Sequence, residues 1–191
     1  MVNAAAPNQA PKAPPRRRRG VTIIELIIAV AVLGTALMML LSVIFASGSL
    51  QESTREKAIA YNYIRKLLEE MRSAPFDPVK NPAPNNVYAM YKPGGAKVPT
   101  AAALMADLGL NAPAKGPQLE IIFPLVGGVL NETCPDLDLQ TPKDLDRSGQ
   151  VENKDISASY HILPVKIVVH WQGIHKRESQ IQICSFLTDN R

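Results

Sequence analysis

An uninterrupted apolar segment, residues 21–46, most limits how this chain can fold. It has 26 residues, and Glu25 is its only charged residue. As an α-helix it would be about 39 Å long, enough to cross the roughly 30 Å hydrocarbon core of a bilayer. Four consecutive arginines (16–19) and Gly20 come directly before it. The sequence therefore predicts one membrane-spanning helix, with the arginines in the cytoplasm and the C-terminal part across the membrane.

The positive charge of the chain is concentrated at its N-terminus. The 191 residues include 21 basic and 17 acidic residues, a formal net charge of +4. Residues 1–20 contain five of the basic residues and no acidic residue, so the remainder has a net charge of −1. Because the excess charge belongs to this short, proline-rich leader, no nucleic-acid contact is predicted.

Two simpler interpretations compete for the apolar segment. The apolar core of a secretory signal has about 7–15 residues, so 21–46 is too long, although "FASGS" (45–49) offers small residues to a signal peptidase. A plain single-pass anchor accounts for the length and the arginines but leaves Glu25 unexplained, since an unpaired carboxylate near a bilayer is costly. A cut after Gly20 would give Val21 a free α-ammonium, which could pair with Glu25 of a neighbouring subunit.

The arginines, Gly20 and the following "VTIIELIIAVAVLG" together resemble the N-terminal cleavage and methylation motif of type IV prepilins and type II secretion pseudopilins. The resemblance implies that a prepilin peptidase and methylase cuts after Gly20 and N-methylates Val21. It also implies that Glu25 is needed for assembly with other pilin or pseudopilin subunits through the N-terminal helix. Val21 stands where Phe or Met is commoner, and no proline interrupts 21–46, which favours a minor pilin or a pseudopilin over a major pilin. The segment "AYNYIRKLLEEMR" (60–72) also resembles the end of the long helix in minor pilins and I-type pseudopilins.

The same resemblance implies a structural subunit. The sequence contains no G-x-S-x-G, phosphate-loop or H-E-x-x-H motif, so no enzyme is predicted. The subunit would be held in the bacterial inner membrane with a cytoplasmic N-terminus and a periplasmic head, and then enter a pilus or pseudopilus. The alternative is a single-pass, membrane-anchored periplasmic calcium-binding protein that does not polymerise. Glu25 discriminates between the two, because a simple anchor has no use for a carboxylate there.

An α+β fold is predicted, with a long hydrophobic and then amphipathic N-terminal helix and a small antiparallel β-sheet head, as in pilins. Tyr61, Ile64, Leu68 and Met71 recur at helical spacing, so one helix from about 22 to 72 is expected, with a break near residues 47–49 as the alternative. The expected organisation is a cleaved basic leader (1–20), a transmembrane and assembly helix (21–46), its amphipathic extension (47–73), an irregular variable region (74–117) and a β-sheet head (118–191).

Local patterns predict the elements of the head. Apolar residues alternate in 117–126, 161–171 and 178–187, and the last two segments form an antiparallel hairpin if 172–176 is the turn. Within the irregular region one short helix is expected, "AAALMADL", with Thr100 as its N-cap and Gly109 as its end.

Residues 144–155, "DLDRSGQVENKD", have the ligand spacing of an EF-hand-type calcium loop. The candidate ligands occupy loop positions 1, 3, 5, 7, 9 and 12: Asp144, Asp146, Ser148, Gln150 through its carbonyl, Glu152 and Asp155. Gly149 falls at position 6, where such a loop turns sharply. A bound Ca²⁺ is therefore predicted, with a polar surface turn as the alternative.

Cys134 and Cys184 are the only cysteines. An even pair in an extracytoplasmic head suggests one disulfide, with two unpaired thiols as the alternative. Cys184 lies on the same strand face as Gln180 and Gln182, so its bridge would reach a loop and not the core.

Overall fold

The computed structural model describes residues 20–173 and 176–189. The predicted leader therefore lies outside the described residues, apart from Gly20. The chain divides into two compact units, Met1–Ala46 and Ser47–Arg191.

A single long helix, α1, runs over Ile23–Ser73 and has 51 residues. The prediction of one helix from about 22 to 72 is confirmed, and the alternative break near residues 47–49 is wrong. Pro75 follows within two residues of its last turn, where proline cannot continue a helix. Two short helices come next, α2 at Val87–Tyr91 and α3 at Ala101–Leu108.

Among the described residues of the head there are five strands. They are β1 at Leu119–Ile122, β2 at Leu125–Val126, β3 at Val129–Leu130, β4 at Ile162–Gln172 and β5 at Glu178–Thr188. One antiparallel sheet has the order β1-β4-β5, and β2 with β3 forms a separate hairpin. β4 and β5 pair from Ile162 opposite Thr188 to Gln172 opposite Glu178, which confirms the predicted hairpin. Part of its turn, 174–175, lies outside the described residues.

The core lies between one stripe of α1 and one face of the sheet. The odd-numbered residues of β4 from Leu163 to Trp171 are each at most 1% exposed, as their alternation predicts. On α1 the buried residues are Ala60, Ile64, Leu67, Leu68 and Met71. The assignment of Tyr61 to this stripe is wrong, since it is 49% exposed. At 100° per residue, Ala60 lies nearer the middle of the stripe than Tyr61.

Local sequence patterns predicted the short helix α3 but did not predict α2. The Ala103 amide donates to Thr100 Oγ1, and Gly109 follows the helix with a φ of +60°, as expected. A second short helix, α2, was not predicted. Its N-cap is Asn86, whose Oδ1 accepts from the Ala89 amide at 2.8 Å.

The first predicted strand is divided at Pro124. β1 ends at Ile122, and β2 begins at Leu125. Proline has no amide hydrogen for a ladder, so pairing cannot continue through it. Phe123 still points into the core and is 2% exposed.

Candidate processing segment and acidic loop

The first helical turn begins two residues after Val21. Gly20, Val21 and Thr22 are non-helical, and α1 starts at Ile23. Thr22 caps it: its Oγ1 accepts from the Glu25 amide at 3.3 Å, and its carbonyl accepts from the Leu26 amide at 3.1 Å. The Gly20–Val21 peptide bond therefore lies in exposed, non-helical backbone.

The side chains of the apolar segment are not buried by any other described residue. Every residue from Gly20 to Gln51 is exposed, and Val21 is 71% exposed. By length and composition α1 is the helix among the described residues that could cross a membrane. A surface of this kind is stable only against lipid or against another apolar helix.

Glu25 lies in the first turn of α1. A negative charge is favourable at this end, because the helix dipole is positive at the N-terminus. Within the part of the chain that the structure describes, Glu25 forms no salt bridge.

Residues 15–41 match the family model described as the prokaryotic N-terminal methylation motif. An N-terminus with this motif, followed by a long apolar helix, matches a type IV pilin-like prepilin. The matched residues include Gly20, Val21 and Glu25 and leave the head uncovered. Comparison of the chain with curated proteins and with solved structures gives no match.

The acidic loop folds around the carboxylate of Asp144, at loop position 1. Its two oxygens accept from the amides of Ser148 at 3.1 Å and Gly149 at 2.8 Å. Gly149 has a φ of +91°, so the sharp turn expected at position 6 is present. Ser148 Oγ donates to the Gln150 carbonyl at 3.1 Å, which brings two of the predicted ligand oxygens together.

Three carboxylates converge at this loop, and one of them is Glu132, which the sequence analysis missed. One oxygen from each of Glu132, Asp144 and Asp146 lies within 4.8 Å of the other two. Two oxygens bound to one Ca²⁺ at about 2.3–2.6 Å are at most about 5 Å apart, so this spacing suits a shared ion. Asp155 is not part of the group, and its Oδ1 accepts from the Ser157 amide at 2.9 Å.

Glu132 is fully buried, and its carboxylate accepts hydrogen bonds from backbone amides of the loop. Oε1 accepts from the amides of Leu145 at 2.7 Å and Asp146 at 3.0 Å, and Oε2 accepts from the Glu152 amide at 2.9 Å. A carboxylate has about four acceptor sites, so one on Oε2 remains for a further partner. No local pattern could have found this residue, because it lies 12 positions before the loop.

Lys154 supplies a positive charge within the loop. Its Nζ lies 3.1 Å from Asp146 Oδ2 and 2.6 Å from Glu152 Oε2. Burial raises the pKa of the Asp146 carboxyl, but hydrogen bonds from Lys154 and Ser148 outweigh this and lower it to about 2. The two carboxylates in turn raise the pKa of Lys154. Any metal ion that binds Asp146 and Glu152 has to displace this ammonium.

Both cysteines are free thiols, so the predicted disulfide is not present in the structure. Cys184 is exposed beside Gln182, on the face expected for it. Lys166, which lies opposite Cys184 on the sheet, instead joins the segment after Cys134 to it. The Lys166 Nζ atom lies 2.7 Å from Asp136 Oδ2. Burial, and then the negative charge of Asp138, raise the pKa of the Cys184 thiol.

Proposed function

We propose that this chain is the precursor of a minor pilin or pseudopilin subunit, cleaved after Gly20 and N-methylated at Val21. The match over residues 15–41 carries the proposal, because it joins the arginines, the glycine and the apolar helix in one motif. The exposed, non-helical Gly20–Val21 bond supports it, since a peptidase needs access to the bond it cuts.

Assembly then proceeds through the apolar part of α1. The subunit waits in the inner membrane with its head in the periplasm, and the helix later packs against those of other subunits. Glu25 pairs with the α-ammonium of Val21 on a neighbour and sets the register between them. The exposure of the whole segment, and a carboxylate with no basic residue at the neighbouring i±3 and i±4 positions, support this role.

Mass spectrometry of the mature N-terminus tests the processing. The mature chain should begin at Val21 and carry one additional methyl group on its amine. Replacement of Gly20 by a bulky residue should leave the precursor in the membrane. Gly34→Leu, a change within α1 where open space surrounds the glycine, should be processed. A mature N-terminus at or after Ser47 would identify an ordinary secretory signal and contradict the proposal.

A second candidate function is calcium binding by the loop 144–155. The convergence of Glu132, Asp144 and Asp146 within 4.8 Å supports it. Such a site would serve an assembled subunit, or the alternative anchored protein that does not polymerise. Lacking a paired loop and flanking helices, it should be weak, at about 10⁻⁴–10⁻³ M, as in extracellular modules.

Calorimetry on a fragment beginning at Gln51, which keeps every buried residue of α1, tests calcium binding. Millimolar Ca²⁺ should raise the melting temperature relative to chelator, because it binds the folded head only. Asp144→Ala should remove that increment, and Lys154→Gln should enlarge it. Asp107→Ala, an exposed acid paired with Lys66, is the matched control. Equal melting temperatures with and without chelator, or equal stabilisation by Mg²⁺, would show that the loop is only an acidic turn.

A further inference from the structure

We propose that Thr22 is a positioning residue for cleavage. It stops α1 from extending toward the N-terminus and so keeps the Gly20–Val21 bond in non-helical backbone. The inference rests on the proposed processing after Gly20. It assigns a role to a residue that lies on the far side of the scissile bond from the arginines.

The hydrogen bonds of the first turn carry the argument. In a continuing α-helix the Glu25 amide would donate to the carbonyl of Val21, four residues earlier. Here it donates to Thr22 Oγ1 at 3.3 Å instead. Thr22 and Glu25 have the T-x-x-E spacing of a capping box, which stops a helix at its threonine. The threonine hydroxyl thus takes the place of the Val21 carbonyl.

Without that hydroxyl the helix has a reason to lengthen. The Glu25 amide would be left unsatisfied beside an apolar phase, which is costly, and the Val21 carbonyl is its nearest replacement. Accepting that bond makes Thr22 helical and brings Val21 into the N-cap position. The scissile bond then adjoins the first turn, and a peptidase has to unwind that turn before it can bind the bond. The loss of an N-cap corresponds to a change of about fivefold in such an equilibrium.

Cleavage of the full-length precursor in membranes by prepilin peptidase tests this role. Thr22→Val keeps the shape of the side chain but has no acceptor, so its rate of conversion should fall about fivefold. Thr22→Ser and Thr22→Asn keep an acceptor and should be cleaved at the wild-type rate. Thr35→Val is the matched control, because Thr35 donates to the Val32 carbonyl inside the same apolar segment and caps nothing.

The asparagine variant separates capping from direct recognition by the peptidase. A peptidase that reads the threonine itself would cleave Thr22→Asn slowly, and that result overturns the proposal. Cleavage of Thr22→Val at the wild-type rate overturns it as well, provided that alkaline extraction leaves every variant in the membrane. If the wild-type precursor is not cleaved after Gly20, the proposed function fails, which is a different outcome.

Discussion

At the scale of single residues, Lys154 neutralises part of the negative charge of the acidic loop. The loop carboxylates lie two or three residues apart in the sequence and would repel one another without a cation. From the sequence alone, a bound metal ion is the predicted source of that positive charge. The structure shows that the chain provides its own cation, with Lys154 bridging Asp146 and Glu152. Lys154 therefore offsets part of the negative charge of the loop, and a metal ion that binds Asp146 has to compete with this lysine.

The same ion pair predicts how stability of the head depends on pH. The Asp146 carboxyl has a pKa of about 2 in the folded head, below its ordinary value of 3.8. A group with a lowered folded pKa stabilises the fold above its unfolded pKa, and that stabilisation disappears as the pH falls through the folded pKa. The melting temperature of the Gln51 fragment should thus fall between about pH 4 and pH 2.

Comparison with Asp146→Asn isolates this contribution, because Asp136, whose pKa is also lowered, titrates in both proteins. With chelator present throughout, the variant should lose less of its stability over that interval than the wild type. Parallel melting curves for the two proteins would mean that the Lys154 pair contributes nothing in solution.

At the scale of elements, the sequence predicted what local interactions determine. Helical spacing predicted α1, cap residues predicted α3, and alternation predicted the β4–β5 hairpin with its buried face. These patterns act within a few residues, so one sequence is enough to read them.

The features that were missed depend on distant contacts. Helix α2 has five residues, too few to be stable alone, and buries Tyr88 edge-on against Phe123 at 5.4 Å between ring centroids. Glu132 joins the acidic loop only because the fold brings it to the amides of Leu145 and Asp146. The disulfide was inferred from the number of cysteines, which says nothing of how their side chains are placed.

The stripe of α1 gives a prediction about the head. Ile64→Ala removes a fully buried side chain and should cost about 2–5 kcal/mol of unfolding free energy. Tyr61→Ala, three residues earlier on the exposed side, should change it by no more than about 0.5 kcal/mol. Denaturant unfolding of the Gln51 fragment measures both. Similar losses for the two variants would mean that the face of α1 has been assigned wrongly.

At the scale of the whole molecule, the two units differ in what stabilises them. The buried residues of α1 begin at Ala60, so the Ser47–Arg191 unit has its own core. The described part of the Met1–Ala46 unit is an apolar helix with every side chain exposed. Under the proposed function, lipid covers that surface in the precursor, and neighbouring subunits cover it in a fibre. Both surroundings are apolar, so an apolar helix alone does not distinguish one from the other.

The role proposed for Glu25 distinguishes a pilin subunit from a plain anchor, and replacement of Glu25 tests it. Glu25→Val removes the only charge between residues 21 and 46, so anchoring in the membrane should persist or strengthen. Incorporation into the fibre should fall sharply, because the pairing with the α-ammonium of a neighbouring Val21 is gone. Glu52→Val removes a carboxylate from the same helix outside the apolar segment and should assemble normally, since Glu52 pairs with Arg55 of its own chain. Immunoblotting of sheared fibres measures how much of the variant is incorporated, and immunoblotting of extracted membranes measures how much remains anchored. A Glu25→Val variant that enters fibres as well as the wild type would contradict the pairing and return the segment to a plain anchor.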